Sequence, residues 1–279
     1  MSRIVILVHL VTVLLLQLLN GVDTVAARRK HKFKVAASGR IVGGFEIDIK
    51  RVPYVVSIQD SFAFHVCGGS ILKTVSYTNL VLTAGHCFEV SIEEIVDTWT
   101  VRAGSSYTRE GGLVFKVKEV HVHPNYDSST TDYDVAVMRV EGEMRGPHIR
   151  PIRITRSQMS YREGVVGLVS GFGKTKEHNT LISDHLRAVQ VPIVEWHVCE
   201  KAYYPEFFSY RMFCAGDLEH GGKDSCSGDS GGPFVVNNEL IGVVSWGRGC
   251  GRVGLPGIYT RVLLFRDWIE SFFEFPPIP

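Results

Sequence analysis

From Ile41 onward the chain alternates short apolar runs with turn residues. Val55-Val56-Ser57-Ile58, His65-Val66-Cys67, Leu80-Val81-Leu82, Trp99-Thr100-Val101, Val114-Phe115-Lys116-Val117, Val135-Ala136-Val137-Met138 and the run 165–169 form one series. The pattern resumes with the run 186–191, Phe234-Val235-Val236 and Ile241-Gly242-Val243-Val244. Short runs, many rich in Val and Ile and separated by Gly, Asn, Asp and Pro, predict an all-β chain built as an antiparallel sandwich or barrel. Asn237-Asn238, between two such runs, suits a hairpin turn. Only two helices are expected: a short one near 194–203 and an amphipathic terminal one near 263–273. No repeat of solenoid period and no low-complexity block interrupts this layout.

Ahead of Ile41 the pattern changes. Arg3, an apolar stretch from Ile4 to Leu19 and then Val25-Ala26-Ala27 read as a signal peptide over 1–27. The stretch is broken by His9, Thr12 and Gln17 and falls short of the ~20 apolar residues a span needs, so an uncleaved anchor is the weaker reading. Secretion follows, with no membrane association once the segment is removed. Residues 28–40 are basic, lack acids and end Ser38-Gly39-Arg40, as an exposed, protease-accessible linker does; the alternative is a tail for heparin or nucleic acid. The formal net charge of +1 hides an asymmetry, because residues 41–279 carry 23 Lys and Arg against 28 Asp and Glu. So mildly acidic a body offers no footprint for nucleic acid.

Six cysteines, Cys67, Cys87, Cys199, Cys214, Cys226 and Cys250, form an even set that a secreted chain oxidises into three disulfides. Sequence alone leaves all fifteen pairings open. With no Cys-x-x-Cys spacing, zinc is disfavoured. His121 and His123 share one strand face, a possible metal pair, but no third ligand clusters with them and they are read as surface histidines. Gly173-Lys174-Thr175 lacks the glycine of a phosphate loop five residues earlier, where Leu168 stands. No metal and no cofactor is expected.

Candidate chemistry centres on Cys226-Ser227-Gly228-Asp229-Ser230-Gly231-Gly232-Pro233. This is good turn composition, yet a serine in so bare a backbone also lets a substrate carbonyl approach and backbone N–H groups point at it. A serine hydroxyl needs a base, and the base an orienting group. Thr83-Ala84-Gly85-His86-Cys87 places His86 where a strand ends. Asp134, in Asp132-Tyr133-Asp134-Val135-Ala136-Val137, stands at the mouth of a buried strand, where a carboxylate must be paired. Asp132 is the rival acid, read as a surface turn residue.

Taken together, Ile41-Val42-Gly43-Gly44, Thr83–Cys87, Asp134–Val137 and Gly228–Pro233 make the chain resemble a chymotrypsin-family, trypsin-like serine protease zymogen from Ile41 to about Phe273. The resemblance implies two six-stranded antiparallel β-barrels with a C-terminal helix, in a protease domain over 41–279, with the site in the cleft between the barrels. It implies a triad of Ser230 as nucleophile, His86 as proton shuttle and Asp134 as orienting acid, the family being the standard template for that arrangement. Gly228 and Ser230 N–H groups would form the oxyanion hole. Asp224, six residues before the nucleophile, would sit at the base of a pocket for Arg or Lys, with Ser225, Ser245, Trp246, Gly247 and Gly257 around it. Residues 28–40 become an activation propeptide: cleavage after Arg40 frees the Ile41 ammonium to pair with Asp229. The family pairing joins Cys67 to Cys87, Cys199 to Cys214 and Cys226 to Cys250. The 102–113 segment holds a single acid, Glu110, so no calcium site is expected.

The implied partners are protein or peptide substrates with Arg or Lys at the cleavage site, an activating trypsin-like protease or the enzyme itself, and protein protease inhibitors; the expected state is a monomer. A non-catalytic homologue acting as an extracellular binding module is the alternative, although such proteins usually lack a triad residue and none is missing here.

Overall fold

The computed structural model describes residues 41–74, 77–89 and 91–273. The expected signal peptide, 1–27, and the expected propeptide, 28–40 with Arg40 at its end, lie outside the described residues. Fourteen strands form in chain order: β1 (Phe45–Glu46), β2 (Val55–Gln59), β3 (His65–Ile71), β4 (Leu80–Thr83), β5 (Thr100–Ala103), β6 (Leu113–Val122) and β7 (Ala136–Val140), then β8 (Arg153–Ile154), β9 (Val166–Gly171), β10 (Arg187–Pro192), β11 (Met212–Ala215), β12 (Pro233–Val236), β13 (Glu239–Trp246) and β14 (Gly257–Arg261).

The first barrel closes on itself in the order β2-β3-β4-β7-β6-β5. Strands β2, β4 and β7 are buried along their whole length, which is why their sequences are mostly apolar without a regular alternation. The second barrel runs β10-β9-β12-β13-β14-β11. It closes where the chain leaving β10 meets β11, through the Ile193–Ala215 bridge and the bond from the Gly216 N–H to the Pro192 carbonyl, 3.0 Å. Closure removes the exposed edges an open sheet would leave. β1 adds to β10 in the register Phe45 to Ala188, and β8 runs parallel to β13. Asn237 and Asn238 have φ of +50° and +62°, the left-handed pair a two-residue hairpin requires between β12 and β13.

Both expected helices form, over Trp196–Tyr203 and Arg266–Glu270, the latter continuing a 3-10 turn at Val262–Phe265. A further four-residue helix at Ile92–Ile95 carries too few residues for a periodic signal. The terminal helix buries Ile269 and turns Trp268 onto the first barrel, with the His123 ring 4.8 Å from the Trp268 ring. His123 also stacks on Tyr133 at 4.9 Å, and His121 pairs with Glu119 and packs on Phe272 at 4.8 Å. These half-exposed histidines lie at the barrel surface and pack on aromatic rings there. No helix of the described residues is long and apolar enough to cross a membrane.

The second barrel is filled by aromatic rings. Phe234, fully buried, meets Phe213 at 5.2 Å and Tyr259 at 4.8 Å, both edge-on. Such pairs add to the area their burial removes from water. The disulfides are Cys67–Cys87, Cys199–Cys214 and Cys226–Cys250, the pairing the resemblance implies. Phe234→Ala should lower the unfolding free energy by about 3–5 kcal/mol in chemical denaturation, because the surrounding rings cannot collapse into the space; a loss under about 1 kcal/mol would show that they repack.

Candidate active site

His86 sits in a 3-10 turn, Gly85–Phe88, that begins as β4 ends, and the Cys67–Cys87 disulfide ties this turn to β3. Asp134 stands two residues before β7, the strand paired with β4, so the ladder brings the two residues together. The His86 backbone N–H donates to Asp134 Oδ1 at 2.8 Å and its Nδ1 to Oδ2 at 2.9 Å. Asp134 is 1% exposed. The second barrel completes its shell: Ser245 Oγ donates to Oδ2 at 2.5 Å, and Thr260 Oγ1 to the Asp134 carbonyl at 2.6 Å. With Nδ1–H committed to Asp134, the other ring nitrogen is left to act as a base.

Burial alone would lower the His86 pKa. The Asp134 hydrogen bond and charge, with a contribution from the Glu89 charge, outweigh it and hold the pKa above the ordinary 6.5.

Ser230 faces the same cleft from the second barrel. Its turn is pinned at both ends: the Gly68 N–H donates to the Ser230 carbonyl at 2.7 Å, and the Gly231 N–H to Val244 at 2.8 Å. Gly228 and Gly231 take φ of +95° and +77°, and a Cβ on Gly231 would lie 2.1 Å from Thr83 Oγ1. The turn is bare for two reasons, then: left-handed backbone and packing against β3 and β4. Among the described residues, the amide N–H groups of Gly228 and Ser230 donate to no protein acceptor. Uncommitted backbone donors on such a turn suit a developing oxyanion.

His65 holds this turn from behind, a role sequence reasoning missed. Its Nε2 lies 2.7 Å from the Gly228 carbonyl and its Nδ1 2.8 Å from Ser57 Oγ. A neutral ring donating from Nε2 and accepting at Nδ1 satisfies both partners. Burial pushes its pKa down to about 4, against the opposing effect of the Gly228 carbonyl. The one sequence signal was an imidazole at the start of a strand, which strand patterning treats as any polar residue.

Asp224, 3% exposed, lies in the cleft of about 550 Å³ that also holds His86 and Ser230. The Gly251 N–H donates to its Oδ2 at 2.9 Å, and Ser225 Oγ lies 3.5 Å from Oδ1. Burial pushes its pKa up to about 7, the charge on Asp229 adding to the rise and the Gly251 and Ser225 hydrogen bonds opposing it. Gly257 has no room for a side chain: a Cβ would stand 2.4 Å from Asp224 Oδ1 and cap the carboxylate. Ser245, Trp246 and Gly247 line the cleft together with Ser225, and the Cys226–Cys250 disulfide fastens two of its walls. Glu89, Tyr126, Thr131 and Glu177 also line the cleft and were not foreseen.

Asp229 is fully buried beneath the Ser230 turn, accepting from Gly173 N–H at 2.8 Å and Cys226 N–H at 3.0 Å. Burial pushes its pKa up to about 6. Ile41 is buried in the second barrel with Val169 and Val189, and the Val42 carbonyl accepts from Asp224 N–H at 3.2 Å. Asp132 corrects the sequence reading. It is 6% exposed and bonded to Arg211 and Ser209, so it is a buried ion-pair partner and not a surface turn acid. Its capacity is taken up by these partners, 79 and 77 residues away, which no local pattern reveals. Cys67, His86 and Cys87 bring potential ligand atoms within 4.8 Å, but both sulfurs are bonded to each other.

In a Ser230→Ala protein, His86 should titrate above 6.5 by NMR of its ring protons. Asp134→Asn should bring that midpoint below 6.5, since burial is then the larger influence. An unchanged midpoint would mean that the Asp134 carboxylate does not govern the ring.

Comparison with known proteins agrees with this geometry. The family model described as Trypsin matches residues 41–269. Trypsin 5G1 of Aedes aegypti is 44% identical over 237 residues, covering 84% of this chain and 85% of that protein. Trypsin epsilon of Drosophila erecta is 41% identical, with 83% and 87% covered, and Trypsin eta of Drosophila melanogaster 40% identical, with 84% and 89% covered. With two barrels, a histidine and carboxylate paired beside a serine, and these relatives, the chain belongs to the trypsin family of chymotrypsin-like serine endopeptidases.

Proposed function

We propose that this protein is a secreted serine endopeptidase, made as a zymogen, that cleaves after Arg or Lys through an acyl-enzyme. The observation that carries the reading is the sharing of one cleft by the His86–Asp134 pair, Ser230 and the buried Asp224.

In this reading Ser230 Oγ attacks the scissile carbonyl and its proton passes to the free His86 nitrogen. Asp134 keeps the other nitrogen protonated and stabilises the imidazolium. The carbonyl oxygen becomes anionic where the Gly228 and Ser230 N–H groups converge. His86 returns the proton to the leaving amine as the C–N bond breaks, and then activates a water that releases the acyl group from Ser230. The binding-module alternative is disfavoured, because all three groups are present and the base is already oriented.

Specificity follows from desolvation. An empty pocket holds Asp224 near neutrality, with a pKa of about 7. A guanidinium or ammonium arriving there restores the favoured partner of a carboxylate, and an apolar side chain does not. Activation uses the same physics: cleavage after Arg40 supplies an Ile41 ammonium for Asp229, whose present partners are two backbone N–H groups. Secretion rests on the 1–27 pattern and is consistent with three disulfides. The biological partners are the proteins so cleaved, an activating protease or the enzyme itself, and protein inhibitors that occupy the cleft of a monomer.

Cleavage of the expressed zymogen after Arg40 should yield turnover of chromogenic peptides ending in Arg or Lys, and little of those ending in Phe or Ala. Ser230→Ala should reduce kcat roughly 10⁵- to 10⁶-fold with the fold intact. Asp224→Asn should weaken kcat/KM for Arg peptides about 30- to 5,000-fold, the equivalent of the roughly 2–5 kcal/mol lost with one partner of a buried charge pair. A preference for Phe would remove Asp224 from the specificity pocket. Activity should fall as the medium is acidified through the raised His86 pKa, because only the neutral ring accepts a proton. In kcat this limb belongs to His86, whereas kcat/KM also carries the protonation of the empty-pocket Asp224. A profile that is flat from pH 5 to 8 would exclude His86 as the base.

A further inference from the structure

Asp132 and Asp134 lie two residues apart and are held from different directions. The Arg211 guanidinium approaches Asp132 as a fork: Nε donates to Oδ1 at 2.9 Å and Nη2 to Oδ2, while Ser209 Oγ donates to Oδ1 at 2.8 Å. The same guanidinium lies 4.2 Å over the Tyr133 ring and 4.5 Å over the Tyr210 ring. Arg211 and Ser209 precede β11 of the second barrel, whereas Asp132 and Tyr133 lead into β7 of the first.

Around Asp132 the backbone is unusual. Tyr133, between the two acids, has φ of +56°, and Thr131, just before them, +54°, a region that β-branched and aromatic residues avoid. Such a conformation persists only where its surroundings over-determine it. Here the surroundings are the Arg211 fork on Asp132, the cation over the Tyr133 face, and His123 stacked 4.9 Å from that ring. The Val135 N–H closes back on the Tyr133 carbonyl at 2.8 Å, a three-residue turn with Asp134 at its centre, so the placement of Tyr133 sets the direction in which the Asp134 side chain leaves the backbone.

We propose that Arg211 is a positioning residue for catalysis, clamping Asp132 and the left-handed Tyr133 so that the intervening turn delivers the Asp134 carboxylate to His86. This rests on the reading of Asp134 as the orienting acid. Arg211 touches neither substrate nor the triad, and acts through the backbone alone. An ion pair that merely joined the barrels would leave the His86 environment unchanged when removed.

The discriminating protein is the double variant Arg211→Met, Asp132→Asn. Removing both charges together leaves the net charge of the pair unaltered, so that a change at His86 reports geometry. The charged groups that bear on His86, Asp134 and Glu89, are untouched. In a Ser230→Ala background the His86 titration and its Nδ1–H proton signal are followed by NMR; with Ser230 restored, kcat and KM are measured. The expected result is a His86 midpoint lowered by roughly half a pH unit and a broadened Nδ1–H signal, as the Asp134 hydrogen bond loosens. kcat should fall about 10- to 100-fold with KM within twofold, the scale of a small misplacement of a catalytic group. Arg211→Lys, which keeps the charge but loses the fork, should fall between wild type and the double variant; it serves alone if the double variant does not fold. A lower thermal midpoint with kcat and the His86 titration unchanged would overturn the proposal. If the cleaved wild-type enzyme turned over no peptide, the functional reading would fail, and the titration would still decide whether Arg211 positions Asp134.

Discussion

The cleft depends on one carboxylate that cannot be left unpaired. Asp134 is shut away from water, and stranding a buried charge costs several kcal/mol. Its acceptors are filled by the His86 N–H and imidazole from its own barrel and by the Ser245 hydroxyl from the other. The first barrel bonds both oxygens, and the second adds the Ser245 bond to Oδ2. In the proposed mechanism, docking the barrels therefore completes the shell of the acid that orients the base, and a gap at the seam would cost that third bond.

Desolvation acts in the same sense on buried groups of both barrels. Asp224 and Asp229 are both pushed up by burial, with backbone N–H groups opposing the rise, and His65 is pushed down. In the proposed reading the two acids await cations, one from a substrate and one from the chain itself. His65 is kept neutral, so it can brace the Gly228 carbonyl without bringing a positive charge under the nucleophile turn. His86 differs because its partner is a full carboxylate, and there the charge interaction prevails over burial.

Much of this was legible from the order of residues. The buried strands announced themselves as apolar runs, Asn237-Asn238 as a hairpin, and the Ser230, His86 and Asp134 segments through motifs whose chemistry needs those residue types. Those motifs are local, and local order is what a sequence displays. The brace from His65 to Gly228 spans 163 residues, and the Arg211 fork spans 79. Each joins two surfaces that become neighbours only after both barrels close, so neither partner carries a mark of the other. Asp132 misled for that reason: as a polar residue beside a turn it looked solvated until the second barrel covered it. The aromatic partners of His121 and His123 were hidden likewise, because the terminal segment that meets them lies about 150 residues further along.

β1 gives the newly freed end a short leash. Phe45 is registered on Ala188, and only Ile41 to Gly44 precede it, with the Ile41 carbonyl already accepting the Gly44 N–H at 2.6 Å. In the proposed activation, the Ile41 ammonium is a ligand tethered by four residues to the barrel that holds its receptor. Short tethers place a ligand in the millimolar range of effective concentration. Occupancy of the Asp229 site is then independent of how dilute the enzyme becomes, and a single cut acts as a switch that needs no soluble effector to keep it on.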